Sequence, residues 1–89
     1  MSWDLQLTGP AQKDFRRLPS KDQDRVRAAL LAMQEGPFAG DIKRLKGEST
    51  AWRRRVGHYR IIYDLYLPEH LPEHLIVVAG ILRRTSTTY

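Results

Sequence analysis

Eighty-nine residues, 42% of them hydrophobic, make one small domain spanning 1–89 with a single core and no room for a second. Fifteen Lys and Arg against ten Asp and Glu leave a formal net charge of +5, which favours a polyanion or an acidic protein as partner. The absence of cysteine excludes disulfides and thiol chemistry, the longest apolar run (Leu75 to Leu82) is too short to cross a bilayer, and no signal pattern opens the chain, so a cytoplasmic protein without membrane contact is expected.

In chain order, Trp3, Leu5 and Leu7 alternate with Asp4, Gln6 and Thr8, the pattern of a short half-buried strand. Gly9-Pro10 ends it. Proline suits a first helical position, and Ala11, Phe15 and Leu18 follow at helical spacing, so a short helix runs to Pro19. Ser20 with Gln23 three residues later has the form of a capping box, opening a second helix. Val26, Ala29, Leu30 and Met33 stripe that helix until Gly36-Pro37 stops it, which makes an αα-hairpin. Residues 36 to 50, rich in glycine, read as a loop that carries Lys43, Arg44 and Lys46.

Two β-forming runs follow, Trp52 to Val56 and Tyr59 to Leu65, around Gly57-His58, the composition of a tight hairpin. Strand alternation puts Arg53 and Arg55 on one face and Trp52, Arg54 and Val56 on the other. On the second strand Arg60, Ile62 and Asp64 share a face opposite Tyr59, Ile61, Tyr63 and Leu65. If Arg60 pairs onto the face of Arg53 and Arg55, at least three guanidiniums stand on one rigid surface suited to phosphate. The charge is localised accordingly: residues 41 to 60 hold seven basic side chains against two acidic ones. The tandem LPEHLPEH, 67 to 74, lengthens the next turn, and Leu75 to Leu82 reads as a central strand buried on both faces before RRTSTTY closes the chain. The fold class is α+β, a strand and αα-hairpin packed on a small, mainly antiparallel twisted sheet.

The order of these pieces resembles the RelE/ParE superfamily of toxins from toxin–antitoxin pairs. The resemblance covers nearly the whole chain: FRRLP (15 to 19), RLKG (44 to 47), WRRRVGHYRIIYD (52 to 64), then an apolar strand running into RRTSTTY. Its most specific piece is Tyr59-Arg60-Ile61-Ile62-Tyr63. The RelE branch implies a RelE-like fold and a ribosome-dependent endoribonuclease that cuts mRNA and is neutralised by a cognate antitoxin. Carried over, the similarity implies catalytic or RNA-contacting roles for Lys46, Arg53, Arg55, Arg60, Arg83 and Tyr89. In some members tyrosine follows the last arginine of the terminal pair by four residues, whereas here Tyr89 follows Arg84 by five and Arg83 by six, which leaves both arginines as candidates for the functional one.

The chemistry such a site needs can be stated from the residues. RNA carries its own nucleophile, the 2′-hydroxyl, so a protein has to align it, offset phosphate charge and manage two protons. Arginine suits the second task and is a poor general base. The proton carriers near the cations are His58, Tyr89, Lys46 and Glu48, with Tyr89 better read as a stacking platform for a base. No carboxylate cluster suited to Mg²⁺ is evident, so a metal-independent reaction with no cofactor is expected.

Several residues have a simpler reading. Arg54 belongs to the packing face, His58 to an exposed turn, and Trp52, Tyr59 and Tyr63 to the core. Glu69, His70, Glu73 and His74 form an expanded turn more readily than a metal site. Lys43 and Arg44 are either a solvated loop or RNA contacts, and Arg84 is read as an RNA contact. Two other functions fit: a ParE-type toxin that blocks a DNA topoisomerase through protein contacts, and a plain nucleic-acid-binding module.

Overall fold

A computed structural model describes residues 3–38, 40, 42–45, 51–66 and 74–83. The elements run β1 (Asp4–Leu7), α1 (Gly9–Arg16), α2 (Ser20–Glu35), β2 (Ile42–Arg44), β3 (Ala51–Val56), β4 (Tyr59–Tyr66) and β5 (Leu75–Arg83). The five strands form one sheet in the order β1-β5-β4-β3-β2. Only β1 and β5 pair in parallel; the other three pairings are antiparallel. Both helices cover one face of this sheet, the α+β arrangement expected. No helix among the described residues is long and apolar enough to cross a membrane.

The first helix starts earlier than its proline suggests. Thr8 is the N-cap, its Oγ1 accepting from the Ala11 amide at 3.2 Å, so Pro10 sits inside the first turn, where an amide hydrogen is not needed. Its end also comes earlier, at Arg16, and the following residues turn tightly. The capping box at Ser20 does not form. Pro19 is the N-cap of α2 and makes no side-chain cap bond. Gln23 instead donates from Nε2 to the Phe15 carbonyl at 3.1 Å. The connection is short enough to bring the orphan carbonyls of α1 within reach, and they take the donor that a capping box would have used.

Three further differences come from tertiary packing. Residues 42–44 were expected to be loop but form an edge strand, because Ile42 and Arg44 find ladder partners in Arg54 and Trp52. Trp3 lies outside β1, its backbone tied to Gln34 of α2 by reciprocal hydrogen bonds at 2.7 and 3.1 Å. The strand β5 is central but not buried on both faces, since the helices cover one side only: Ile76, Val78 and Ile81 are buried while Leu82 is 47% exposed.

The spacing of those three residues is odd in a strand of period two, and a β-bulge resolves it. Between β4 and β5 the register jumps from Ile62↔Gly80 to Tyr63↔Val78, leaving Ala79 as the extra residue. Ile81 opposite Ile61 and Val78 opposite Tyr63 therefore both face the helices. The core comprises Ala11, Val26, Ala29, Leu30 and Met33 from the helices against Tyr59, Ile61, Tyr63, Ile76, Val78 and Ile81 from the sheet. Burying each large apolar side chain is worth about 1.5–3 kcal/mol.

Two tyrosines lock the layers through polar tips. Tyr63 donates to the Pro37 carbonyl at 3.1 Å and Tyr59 to Asp22 of α2 at 2.8 Å. At the β3–β4 turn Gly57 has φ +57 and His58 is not left-handed, the pattern of a II′ hairpin turn, whose twist matches that of the strands.

Candidate nucleic-acid interface

Strand alternation in the hairpin sorts its cations into two sets. Trp52, Arg54 and Val56 pair with Tyr63, Ile61 and Tyr59, all three buried against the helices. Arg54 therefore belongs to the helix-side face, as read from the sequence, and its guanidinium packs over Gly40, where a Cβ would come within 2.8 Å of Arg54 Cζ. Arg53 and Arg55 point the other way, toward the face the helices leave open. Arg55 stands directly opposite Arg60, and Arg53 opposite Ile62, so Arg60 does pair onto the arginine face.

The edge strand extends this face. Lys43 lies opposite Arg53, which brings Lys43, Arg53, Arg55 and Arg60 together from three adjacent strands. Like charges opposed across a ladder repel. Arg60 is only partly exposed, and its Nε is buried without a hydrogen-bond partner among the described residues. On the same strand and face, Asp64 also has a buried oxygen, Oδ1, without a hydrogen-bond partner among the described residues. A buried polar atom left unsatisfied calls for an explanation, and a ligand is one. The sequence placed Asp64 on this face but assigned it no task.

Two candidate residues do not join the cluster. Arg44 is opposite Trp52, one residue on from Lys43, so alternation turns it to the helix side. Arg83 is opposite Tyr59, one residue beyond Leu82, which faces Arg60; it too belongs to the helix side, on the other face from Arg60. There Arg83 lines an open cavity of about 530 Å³ with Asp14, Arg17, Asp22, His58 and Tyr59. Asp14 caps the Ile81 amide at 3.0 Å, closing the edge of β5 beyond the reach of β1. The hydrogen bond to Asp22 holds the Tyr59 hydroxyl above the ordinary phenol range, helped by burial and opposed by Arg83. His58 is exposed, as a turn residue should be.

Lys46, Arg84 and Tyr89 lie outside the described residues, as do Glu48, Glu69, His70 and Glu73. His74 is described, and its ring packs on Trp3 with centroids 4.7 Å apart. Among the described residues no group of three or more potential ligands could hold a metal ion.

A family model described as the ParE toxin of the type II toxin–antitoxin system, parDE, matches residues 5–87. The chain belongs to this family. It is a toxin of the RelE/ParE superfamily, and relatives from both named branches surround it. The RelE1 protein of Methanocaldococcus jannaschii, whose name marks it as an inferred toxin, is 25% identical over 87 residues, 94% of this chain and 92% of that protein. Among solved structures, the RelBE2 toxin–antitoxin complex of Mycobacterium tuberculosis superposes with a TM-score of 0.79 at 22% identity, covering 94% of this chain and 100% of that one. The RelE–RelB complex of Pyrococcus horikoshii gives 0.78 at 20% identity, over 97% and 99% of the two chains. The isolated E. coli RelE toxin gives 0.78 at 19% identity, over 98% and 89%. These superpositions establish the fold of the toxin, a RelE-like α+β domain.

Proposed function

We propose that this toxin is an endoribonuclease of the RelE kind, cutting mRNA on the ribosome by attack of a 2′-hydroxyl on the adjacent phosphorus, without a metal ion. The observation that carries this reading is the gathering of Lys43, Arg53, Arg55 and Arg60 on the open face of the sheet. On that face Arg60, only partly exposed, offsets charge on the phosphate in the transition state, while Lys43, Arg53 and Arg55 hold the RNA backbone on either side. Fixed guanidiniums in a partly desolvated site act more strongly on developing charge than the same groups in water. The proton transfers fall to Lys46 and Tyr89 in this reading, with Tyr89 also offering a stacking surface, and Arg84 contacts the RNA. Arg44 and Arg83, turned to the helix side, take no part on the phosphate face.

The toxin is held inactive by a cognate antitoxin whose acidic or amphipathic segment covers the cationic face. Solved relatives named as toxin–antitoxin complexes support that partnership. The deciding experiment is primer extension on mRNA after induction, repeated in a purified system with and without ribosomes. Cuts that require ribosomes and leave a 2′,3′-cyclic phosphate support the proposal; cutting of a message with 2′-deoxyribose at the scissile nucleotide overturns it. The ParE description of the matching family model favours a second reading, inhibition of a DNA topoisomerase through protein contacts. That reading predicts loss of supercoiling activity in a purified topoisomerase assay with mRNA left intact.

A further inference from the structure

We propose that Asp64 is a specificity-determining residue of the same face, accepting a hydrogen bond from the amino group of the base whose phosphate Arg60 holds. This rests on the RNA reading above and deepens it. Asp64 follows Arg60 by four residues on β4 with Ile62 between them, all three on the open face. The buried, unpartnered atoms on this strand are of opposite kinds: Arg60 Nε can only donate and Asp64 Oδ1, as a carboxylate oxygen, can only accept. Two cations in those places would read nothing but charge. A donor and an acceptor together require a ligand that brings an acceptor to one and a donor to the other.

The spacing suits one nucleotide lying along the strand. Four residues of strand span about 13 Å between Cα atoms, a gap that the long Arg60 side chain shortens. Ile62, half-buried, provides an apolar surface between the two polar ends, on which the flat of a base can rest. The register shift between Ile62 and Tyr63 falls inside this interval, its extra residue Ala79 lying on the neighbouring β5. With the phosphate on Arg60 and the base over Ile62, the group reaching Asp64 is the far edge of the base. Cytosine and adenine present an exocyclic amino group there; uracil presents a carbonyl, which a carboxylate repels. A carboxylate among cations is also a poor means of gaining affinity for RNA, since it repels every phosphate equally. Selectivity is the return for that cost.

The test is the ratio of affinities of the toxin for short oligo-C and oligo-U, measured by fluorescence anisotropy at fixed salt. Wild type is expected to bind oligo-C about tenfold more tightly, the discrimination of one good polar contact to a base edge. D64A should reduce that preference to about twofold or less, and D64N should reduce or reverse it because asparagine can donate to the uracil carbonyl. Circular dichroism checks that each variant is folded, and the isosteric D64N keeps the test decisive if D64A is not. An equal gain in affinity for both oligomers, with the ratio unchanged, would mean that Asp64 acts only as a charge and overturns the inference. So does a loss of affinity in D64A that is equal for oligo-C and oligo-U in RNA and absent in the 2′-deoxy oligomers, which would assign the donor to the ribose hydroxyl. Failure of wild type to bind any RNA oligomer overturns direct RNA binding by this face and the inference with it, whereas the nuclease reading stands or falls separately on the ribosome-dependent cleavage assay.

Discussion

Arg60 occupies a strand in which alternate positions, Tyr59, Ile61 and Tyr63, face the core, and it stands on the opposite, open face. Its replacement by alanine is therefore expected to lower cleavage by about 100-fold or more while the thermal midpoint stays close to wild type. Single-turnover cleavage on programmed ribosomes, beside circular dichroism, measures both. Arg53→Ala and Arg55→Ala should act on binding instead, each reducing the salt dependence of RNA affinity by roughly 0.7 in the logarithmic slope. Arg54 is the internal control, because it lies on the helix side over Gly40. If Arg54→Ala is folded and as inactive as Arg60→Ala, the assignment of functions to faces is wrong. Tyr63 supplies a second prediction at this scale. Its hydroxyl is fully enclosed in the core, and burial raises its pKa above the ordinary tyrosine value, against a lowering effect from Arg54. A raised acid pKa means that the native state keeps a proton that the unfolded chain has lost, so stability falls as the pH rises above about 10. Urea denaturation at increasing alkaline pH should show that fall, and Tyr63→Phe should make it shallower; an unchanged slope assigns the alkaline loss to other groups.

At the scale of elements, the joint between the helices and the two strand junctions carry the arrangement of the site. Gln23 closes the αα-hairpin through the Phe15 carbonyl, with no help from a cap at Ser20. Gln23→Ala is expected to cost about 1 kcal/mol in chemical denaturation, the net worth of an ordinary hydrogen bond, whereas Ser20→Ala should be close to neutral. The reverse order of effects would restore the capping box. Both residues were legible as a motif, and only the packing of one helix end against the next decided which acceptor the glutamine would find. The hairpin at Gly57-His58 was legible because a tight turn between alternating runs has few solutions. The edge strand at Ile42–Arg44 was not, since three residues within a glycine-rich stretch carry no periodicity and become a strand only when β3 presents a ladder to them. That pairing places Lys43 on the cationic face and turns Arg44 away from it.

For the molecule as a whole, the helices cover one side of the sheet and leave the other to the charged residues, which separates stability from function. Overproduction of the toxin alone should arrest growth, and co-expression with a small acidic partner from a neighbouring reading frame should restore it and yield a stable complex. Harmless overproduction in the native host counts against the toxin acting as proposed. The sequence by itself determined the α+β class, the αα-hairpin, the β3–β4 hairpin and the shared face of Arg53 and Arg55, because these follow from local periodicity and turn chemistry; that Arg60 joins them was conditional on the pairing that the register supplies. Only the tertiary structure decided that β1 joins β5 in parallel, that Ala79 is absorbed as a bulge, and that Arg83 turns toward Tyr59 while Leu82 faces Arg60. Register between distant strands is set by which side chains share the core. A one-residue shift moves a side chain to the opposite face of the sheet, and no pattern within a single strand records that choice.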